Sequence, residues 1–539
     1  MQDLRHELYT VKSVVELEQI AIKQFDIPAY ELMLRAGQAT FDLLLQRFST
    51  TRNVLVLCGA GNNAGDGYVV ARLARQAGLN VRVISLIDPE SLKNEARQAY
   101  LAWSDACDES DQITEHDVTS APILIEECDV IIDALLGTGL QRPVSAQWSD
   151  LMDLVNRSSI GSLKGSGKDL SKPVISVDIP SGLYADTGCI AGNAIKADIT
   201  VCFIGLKQGM FTADAGDVCG EVVLDDLGLP EQAYKKVSCD ARLIDSPNYA
   251  LLPERKSASH KGRFGHVLIV GGNKGMPGAV ILAARAALRS GAGLVTILTE
   301  ETNLAAIAQA VPEAMVKVYS LGDDDVFSET LTDSITHIAI GMGLGQDEWS
   351  SALLKHCISI KKPLLVDADG LNLLASSMQD KETISSPLVI TPHPGEAARL
   401  LSGTGTDTNE ALSSADIQKD RFASIRKLRA RFDDVKSCTV VLKGAGSLIY
   451  DGKQLLVCNQ GNAAMAAPGM GDVLSGICIG LMAQLMHLSS VEAEAEVSLS
   501  EITALAVCLH ASAADRYTKG KTRGLLASDV IDTLPELLR

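Results

Sequence analysis

The sequence predicts an α/β protein of two doubly wound domains, and three observations support that prediction. Short β-branched strands bounded by Gly, Asp or Pro recur along the chain. Segments with helical spacing lie between them, and strands that alternate with helices favour mostly parallel sheets. The chain has 539 residues, and chains beyond roughly 250–300 residues usually divide into domains.

The strands fall into two series. The first comprises NVLVLCG from Asn53, VRVISLID from Val81, DVIIDALLG from Asp129 and PVISVDIPSG from Pro173. The second comprises HVLIVGG from His266, GLVTIL from Gly293, HIAIGMG from His337, PLLVDAD from Pro363, PLVITPHPGE from Pro387 and TVVLKGAGSLIYDG from Thr439. The stretch between them, 225–253, has mixed polarity and no strong period. We therefore expect a boundary near residue 245, with domains at 1–245 and 246–539.

The composition excludes several classes of protein. The chain has 48 Lys and Arg against 67 Asp and Glu, a net charge of −19, with 46% hydrophobic and 21% charged residues. These values fit a globular protein and exclude a disordered or fibrous one. An acidic chain repels phosphate backbones and anionic lipid, so we expect no nucleic-acid and no membrane partner. Small anionic ligands remain possible because backbone amides can bind them.

The N-terminus and the cysteines indicate a soluble, cytoplasmic protein. Residues 1–10 are polar and lack the apolar core of a signal peptide. The longest apolar stretch, 473–486, contains Ser475 and Gln484 and is too short to span a bilayer. The 12 cysteines include no C-x-x-C pair, which indicates reduced, buried thiols.

A glycine-rich loop, 59–67, follows the first strand of the first series and opens a helix. It satisfies G-x-G-x-x-G/A, and a helix N-terminus offers free N–H groups to an anion. A plain strand-to-helix turn is the alternative. Asn62, Asn63 and Asp66 add oxygens that suit a metal ion or a polar ligand better than a pyrophosphate.

Two more strands of the first domain end in aspartates, Asp133 and Asp178. Each alone could be a helix cap or a turn residue. The carboxyl ends of parallel strands converge, however, so three acidic ends flanked by glycine favour a site. A run that resembles a P-loop, 161–168, has the wrong glycine spacing, and we interpret it as a plain loop.

Four segments of the first domain resemble the N-terminal domain of the bifunctional NAD(P)H-hydrate repair enzymes: GAGNNAGDGYVVARLA, DALLGTGL, SVDIPSGLYADTG and AIKADITVCFIGLKQGMFT. The resemblance implies a Rossmann-like epimerase of hydrated NADH and NADPH, with Asp178 as the catalytic acid or base. It implies a potassium ion on Asn63, Asp133 and Ser181. It implies hydrate contacts from Asn62, Asn63, Ala64, Gly65, Asp66, Gly137, Thr138, Gly139, Leu140, Gln141, Arg142, Pro143 and Asp178. The family usually has glycine in place of Ala64, which matters only if that residue needs a positive φ.

The segment GMGDVLSG, 469–476, carries the chemistry of the second domain. Glycines ahead of an acid at a helix start place a carboxylate beside free backbone amides. This suits phosphoryl transfer to an alcohol, in which the amides stabilise phosphate charge and Asp472 takes the hydroxyl proton. A simple N-cap would leave the flanking glycines without purpose.

Other loops of the second domain are ligand candidates. Residues 443–447 lie between two strands and offer amides and a lysine to a nucleotide. His393 lies between two prolines, which hold it rigidly after a strand, although a lone histidine is more often structural. Asn462 and Lys274 belong to further glycine-rich loops.

Residues 255–539 resemble the ribokinase-like, ADP-dependent dehydratase half of the same family, on GGNKGMPGAVILAARAALRSGAGLV, TPHPGEAARLL and GMGDVLSG. The resemblance implies hydrate contacts from Ala279, Gly343, Gly345, His393 and Asp472, the last being catalytic. It implies nucleotide contacts from Lys443, Gly444, Ala445, Gly446, Ser447 and Gly471, with Mg²⁺ accompanying ADP. The family commonly reads G-N-P-G-M-A-T-[GA]-G-M-G-D, whereas this chain reads GNAAMAAPGMGD, with Pro468 and without the threonine.

The resemblance therefore implies an enzyme that interconverts R- and S-NAD(P)HX and converts the S form with ADP into NAD(P)H, AMP and phosphate. Its partners would be NADHX, NADPHX and ADP, and we expect a homo-oligomer. A small-molecule kinase and a first domain that serves only as a scaffold are the alternatives. The lack of a recognisable vitamin-binding N-terminal half disfavours the kinase, and the presence of Asn63, Asp133 and Asp178 disfavours the scaffold.

Overall fold

The computed structural model describes residues 4–107, 114–115, 118–159, 171–322, 324–327, 329–377, 384–402, 411–492 and 497–538. The chain forms two compact units, 1–242 and 243–539, and each is built on a largely parallel sheet with helices between the strands. The predicted α/β class with two doubly wound domains is confirmed. The run at 161–168 lies outside the described residues.

The first unit has a parallel sheet that seven of its described strands form, and the order of the strands in that sheet reverses once. Its strands are β1 (Glu7–Tyr9), β2 (Asn53–Cys58), β3 (Asn80–Ser85), β4 (Thr114–Glu115), β5 (Val130–Ala134), β6 (Val174–Val177), β7 (Ile199–Phe203), β8 (Leu206–Lys207), β9 (Glu221–Asp225) and β10 (Ala241–Ile244), the last of which runs on into the second unit. Its helices are α1 (Val11–Gln24), α2 (Ala29–Arg47), α3 (Asn62–Gln76), α4 (Asn94–Ser104), α5 (Ala121–Glu127), α6 (Ala146–Ser159) and α7 (Glu231–Tyr234). The order in the sheet is β4-β3-β2-β5-β6-β7-β9, so the loops after β2 and β5 flank the switch point, where ligands bind in open α/β sheets.

The second unit has a larger sheet that ends in an antiparallel meander. Its strands are β11 (His266–Val270), β12 (Leu294–Thr299), β13 (Met315–Val318), β14 (His337–Ile340), β15 (Leu364–Val366), β16 (Leu388–Ile390), β17 (Cys438–Leu442), β18 (Ser447–Tyr450) and β19 (Leu455–Cys458). Its helices are α8 (Pro277–Ser290), α9 (Leu304–Ala310), α10 (Glu329–Ser334), α11 (Glu348–Ser359), α12 (Ala368–Ser377), α13 (Pro394–Ser402), α14 (Ser414–Lys419), α15 (Arg421–Ala430), α16 (Met470–Glu492), α17 (Leu499–Thr518) and α18 (Ala527–Leu537). The strands run in the order β13-β12-β11-β14-β15-β16-β17-β18-β19 and are parallel as far as β17. Its switch point lies between β11 and β14.

Close contact with α8 fixes the position of α16, which begins with the predicted catalytic segment. A Cβ at Gly476 would lie 2.3 Å from the carbonyl oxygen of Ala283, and one at Gly480 would lie 2.3 Å from Oγ of Ser290. Because these positions carry no side chain, the two helices approach to backbone contact, and Ile477 of α16 is fully buried. This packing anchors the first turn of α16 over the sheet.

Two observations concern membrane-spanning helices and disulfide bonds. Within the described ranges, no helix combines the length and the apolar character that crossing a membrane requires. All 12 cysteines are described, and each is a free thiol.

Candidate active sites

The loop after β2 enters α3 directly at the first switch point. Gly61 has φ +76° and precedes the first helical residue, Asn62, which is exposed. Ala64 is fully buried and helical with a negative φ, so alanine in place of the usual glycine causes no backbone strain. Gly65 is required by packing, since a Cβ there would lie 2.6 Å from Cε of Met33.

Asn63 lies beside the loop that follows β5. Its side chain is 5% exposed, and neither its amide nitrogen nor its amide oxygen has a hydrogen-bond partner among the described residues. A Cβ at Gly137 would lie 3.2 Å from Cβ of Asn63, so the structure brings these two predicted residues together. In the same loop Thr138 and Leu140 are half-buried, and the four remaining residues are exposed: Gly139, Gln141, Arg142 and Pro143. A buried amide of this kind fits a ligand that supplies the missing hydrogen bonds, or a cation that the amide oxygen coordinates.

Asp133 and Ser181 form a buried hydrogen-bonded group. Oδ1 of Asp133 accepts from Oγ of Ser181 at 2.6 Å, and Oδ2 accepts from the Ser181 N–H at 2.9 Å and from Oγ of Ser176 at 2.7 Å. Burial raises the pKa of Asp133, although these hydrogen bonds oppose the rise. The group ties the end of β5 to the loop after β6.

Asp178 follows β6 in a backbone conformation that is rare outside glycine, with φ +64°. Its Oδ1 accepts hydrogen bonds from the ammonium group of Lys207 and from the N–H of Phe203. Lys207 is only 1% exposed, and its ammonium also donates to the Phe203 carbonyl at 3.0 Å. Burial alone would lower the pKa of Lys207, but the charges of Asp178 and Cys202 and the hydrogen bonds to both together outweigh burial and raise it. Our sequence interpretation missed Lys207, although a lysine within the apolar run ITVCFIGLKQGMF is a usable signal.

Two more carboxyl groups interact with this ion pair. Burial raises the pKa of Asp66 well above its usual value, and the charges of Asp178 and Glu18 add to the rise. Burial likewise raises the pKa of Glu18, which α1 contributes, and Asp178 adds to that rise. Burial and the neighbouring charges therefore favour the protonated form of the Asp66 carboxyl group, which interacts with the ion pair of Asp178 and Lys207. The sequence interpretation did not include Glu18.

In the second unit, the loops after β11 and β14 meet at the second switch point. Gly343 has φ +58°, and a Cβ on it would lie 3.1 Å from Cβ of Ala279, the third residue of α8. Gly345 has φ +75° and donates its N–H to Oδ2 of Asp369 at 2.9 Å. The structure thus places Ala279, Gly343 and Gly345 together at the second switch point.

Asp472 lies in the first turn of α16 beside a buried ion pair. Oδ1 of Asp367 accepts from the Lys443 ammonium at 2.7 Å, and Oδ2 accepts from Oγ of Ser475 at 2.7 Å. A Cβ at Gly471 would lie 3.3 Å from Nζ of Lys443, so the predicted Gly471, Lys443 and Asp472 share one site. Burial, together with the charge of Asp367, raises the pKa of Asp472 to about 7, although Lys443 opposes the rise.

The sequence interpretation missed Asp367, which is 1% exposed. Burial would raise the pKa of Asp367, but Lys443 and the hydrogen bonds to its carboxylate lower it. The signal was available, since Asp367 ends the strand segment PLLVDAD as Asp133 and Asp178 end theirs.

His393 belongs to the same site through two contacts. The Lys443 N–H donates to the carbonyl of Pro392 at 2.9 Å, which holds the strand ends together. Nδ1 of His393 accepts from the Gly395 N–H at 2.9 Å, and its Nε2 lies 3.2 Å from Oε1 of Glu396. Burial and the charge of Lys443 lower the pKa of His393, and burial raises that of Glu396. These effects favour the neutral imidazole, whose proton lies on Nε2 because Nδ1 accepts the Gly395 N–H, and the side chain is half exposed.

Residues 443–447, hereafter the nucleotide loop, connect β17 to β18. Gly444 has φ +146° and Gly446 has φ +61°, conformations that favour glycine. Lys443 and its neighbours up to Ser447 are partly or fully exposed, as a ligand loop requires. This loop reaches the site through Lys443.

The segment that departs from the family pattern precedes α16. Asn462 accepts the N–H of Ala464 at 3.0 Å and donates to Oδ1 of Asp515 at 2.6 Å, which anchors the segment to α17. Pro468 is exposed, and Gly469, with φ +84°, turns the chain into α16. Lys274 is exposed within its own loop.

Both units match known families. A family model described as NAD(P)H-hydrate dehydratase matches residues 267–536, and one described as YjeF-related protein N-terminus matches residues 29–209. The chain is 39% identical over 540 residues to the bifunctional NAD(P)H-hydrate repair enzyme Nnr of Coxiella burnetii, covering 98% of this chain and 99% of that protein. It is 41% identical over 536 residues to the Vibrio cholerae protein of the same name, covering 98% of both. Among solved structures, the ADP/ATP-dependent NAD(P)H-hydrate dehydratase of Bacillus subtilis, co-crystallised with ATP/Mg²⁺, is 29% identical with a TM-score of 0.44, covering 54% of this chain and 94% of that one.

Proposed function

We propose residue roles for the two activities of this chain, which belongs to the family of bifunctional NAD(P)H-hydrate repair enzymes. We assign the epimerase to residues 1–245 and the ADP-dependent dehydratase to residues 246–539. The substrates are the two epimers of hydrated NADH or NADPH, together with ADP. The contact between Lys443 and Asp367 beside Asp472 carries the dehydratase assignment, because it joins a base, a cation and backbone amides in one site.

Asp472 is the general base of the dehydratase. A pKa of about 7 lets it accept a proton near neutral pH, as an efficient base must. The C6 hydroxyl of the hydrate gives its proton to Asp472 while its oxygen bonds to the β-phosphorus of ADP. The bond from that phosphorus to the bridging oxygen breaks, and AMP leaves. Phosphate then departs with the C6–O electron pair and takes the proton that C5 loses, and the ring double bond of NAD(P)H forms.

The groups around Asp472 bind and orient the two substrates. The ammonium of Lys443 and the amides of Gly444, Ala445, Gly446, Ser447 and Gly471 bind the nucleotide phosphates. His393, with Ala279, Gly343 and Gly345, lines the position of the hydrate. Mg²⁺ would accompany the diphosphate of ADP and would offset part of its negative charge there.

Asp66 and Asp178 are the acid and the base of the epimerase. Burial favours the protonated form of Asp66, while the ammonium group of Lys207 pairs with the carboxylate of Asp178, and this difference suits such a division. Asp66 protonates the C6 hydroxyl, which leaves as water, and the nitrogen lone pair stabilises the resulting cation. Water then adds to the opposite face and gives its proton to Asp178, which Lys207 holds in place. The net change is inversion at C6.

Asn63, Asp133 and Ser181 would hold the potassium ion. The buried amide oxygen of Asn63, which lacks a partner within the described part of the chain, fits a monovalent cation, and the carboxyl group of Asp133 lies fully buried. A bound potassium ion would supply a fixed positive charge beside the hydrate. The chain's own residues still perform the proton transfers.

Incubation of the purified chain with mixed-epimer NADHX tests the assignment. With ADP we expect the near-ultraviolet absorbance of reduced nicotinamide to recover completely, because the epimerase feeds the S form to the dehydratase. A parallel incubation with ATP measures the nucleotide preference. Recovery no faster than the uncatalysed rate with either nucleotide would refute the dehydratase. Recovery that stops when the S epimer is consumed would refute the epimerase.

A further inference from the structure

The side chain of Arg421, the first residue of α15, lies beneath the nucleotide loop and is fully buried. Its Nη2 donates to the carbonyl oxygens of Leu442 at 3.1 Å and Gly446 at 3.3 Å. Its Nη1 donates to the carbonyl oxygen of Lys443 at 3.3 Å and to Oε1 of Gln418 at 2.8 Å. One guanidinium group therefore binds both ends of the nucleotide loop.

Gly444 makes this contact possible. A Cβ at Gly444 would lie 2.5 Å from Nη1 of Arg421, so any side chain would force the loop and the buried guanidinium group apart. The residue also has φ +146°, a conformation that favours glycine. The close contact with Arg421 and the positive φ therefore both favour glycine at this position.

The direction of the peptide groups gives the contact a functional meaning. In a trans peptide the carbonyl and the following N–H point in opposite directions. The Lys443 carbonyl points at Arg421, so the Gly444 N–H points away from it, toward the open side of the loop. The preceding peptide behaves the same way, because the Leu442 carbonyl binds Arg421 while the Lys443 N–H reaches Pro392.

We propose that Arg421 is a positioning residue for the nucleotide diphosphate: it turns the loop amides toward the phosphates and sets the base of the Lys443 side chain. This rests on the proposed function of the loop. Only a planar fork of donors can serve several fixed carbonyls at once, which a lysine ammonium on a flexible stem does not reproduce. The positive charge of Arg421 also lies below the loop that receives the phosphate groups.

Arg429 of the same helix offers a matched control. It donates from Nε to the carbonyl oxygens of Cys438 at 3.0 Å and Asp451 at 3.1 Å, at the far end of the same β17–β18 hairpin. Its side chain is also largely buried, at 11% exposure. Loss of either arginine removes carbonyl contacts from one hairpin, but only Arg421 touches the nucleotide loop.

The experiment compares Arg421→Lys and Arg421→Met with Arg429→Lys and Arg429→Met in the full chain. We expect the Arg421 variants to raise the KM for ADP by at least about tenfold, because a displaced loop loses hydrogen bonds from its amides to the charged diphosphate. The KM for the hydrate should change less than about twofold, within the scatter of surface changes. The Arg429 variants should lower the melting temperature to a similar degree and leave the KM for ADP unchanged. Added guanidinium ion should restore ADP affinity to Arg421→Ala.

Two outcomes separate this inference from the proposed function. If the Arg421 and Arg429 variants raise the KM for ADP equally, in proportion to their loss of thermal stability, Arg421 is merely structural and the inference is wrong. If the unmodified chain does not bind ADP by calorimetry, the proposed function itself fails. The amplitude of the thermal unfolding transition of each variant reports the amount of folded protein. Arg421→Lys keeps a buried cation and serves as the measurable variant if Arg421→Met does not fold.

Discussion

Replacing Asp472 by Asn should abolish dehydration and at the same time stabilise the protein at alkaline pH. Burial and the charge of Asp367 raise the pKa of Asp472 from 3.8 to about 7. At 1.36 kcal/mol for each pKa unit, the ionised form costs the folded state about 4 kcal/mol. This is an upper value, because the amides at the start of α16 favour a negative charge by about 0.3–1 kcal/mol.

The sign of the pH dependence of stability follows from the difference in proton binding between the folded and the unfolded chain. Below about pH 4 the carboxyl group is protonated in both folded and unfolded chains and costs nothing. As the pH rises toward 7, the unfolded chain releases the proton first, so the folded state loses stability relative to it. Above about pH 7 the full cost of up to about 4 kcal/mol is present. The Asn side chain has the same shape and no charge, so it removes this cost.

Urea unfolding of the wild type and Asp472→Asn at about pH 4 and about pH 8 measures the difference. We expect equal stability at the lower pH and a more stable variant at the higher one, with epimerase activity retained and dehydratase activity lost. The wild-type dehydratase rate should rise with pH through about 7, as Asp472 becomes the free base.

Asp347 provides a control for which the pH dependence of stability has the opposite sign. Burial raises its pKa, but hydrogen bonds from the Ser350 N–H and from Asn273 outweigh burial and lower it. Asp347→Asn should therefore lose stability at alkaline pH, where Asp472→Asn gains it. A stability difference for Asp472→Asn that is the same at both pH values would refute the reasoning, because the carboxyl group would then not be held in its protonated form.

Three further predictions concern other parts of the chain. Lys207→Met should lower epimer exchange by more than about 100-fold, because Asp178 loses the partner that holds it and breaking a buried ion pair costs about 3–5 kcal/mol. Lys196→Met, at an exposed position, should not lower it. Chromatography of the two epimers measures the exchange, and equal rates for both variants would contradict the role of Lys207. Exchange of potassium for tetramethylammonium should slow the epimerase and spare the dehydratase, and equal activity in both salts would exclude a potassium requirement. Gly476→Ala places a Cβ 2.3 Å from the Ala283 carbonyl oxygen and should lower the free energy of unfolding by about 1–3 kcal/mol. Gly278→Ala, which has open space around its Cβ, should leave the melting temperature unchanged.

The sequence alone determined the class of the fold and the composition of the ligand loops. Alternating strands and helices identify a parallel sheet, and its strand ends converge on one edge whatever the details of packing. This is why Asp133, Asp178 and the segment containing Asp472 could be selected from their positions after strands or before a helix. Glycines that need positive φ, such as Gly343 and Gly469, likewise carry a local signal.

Only the tertiary structure decided which side chains become partners and what charge they hold. Lys207 lies 29 residues from Asp178, and Lys443 lies 76 residues from Asp367. No local sequence pattern identifies either pair as partners. The pKa of Asp472 depends on burial and on Asp367, which belongs to a different strand. Spacing along a chain reports backbone conformation, whereas desolvation and Coulomb interaction act through space and depend on the packed neighbours of each group. Candidates such as Asp178 and Asp472 were therefore selected from the sequence, but their neighbours Lys207 and Asp367, and the raised pKa of Asp472, were not.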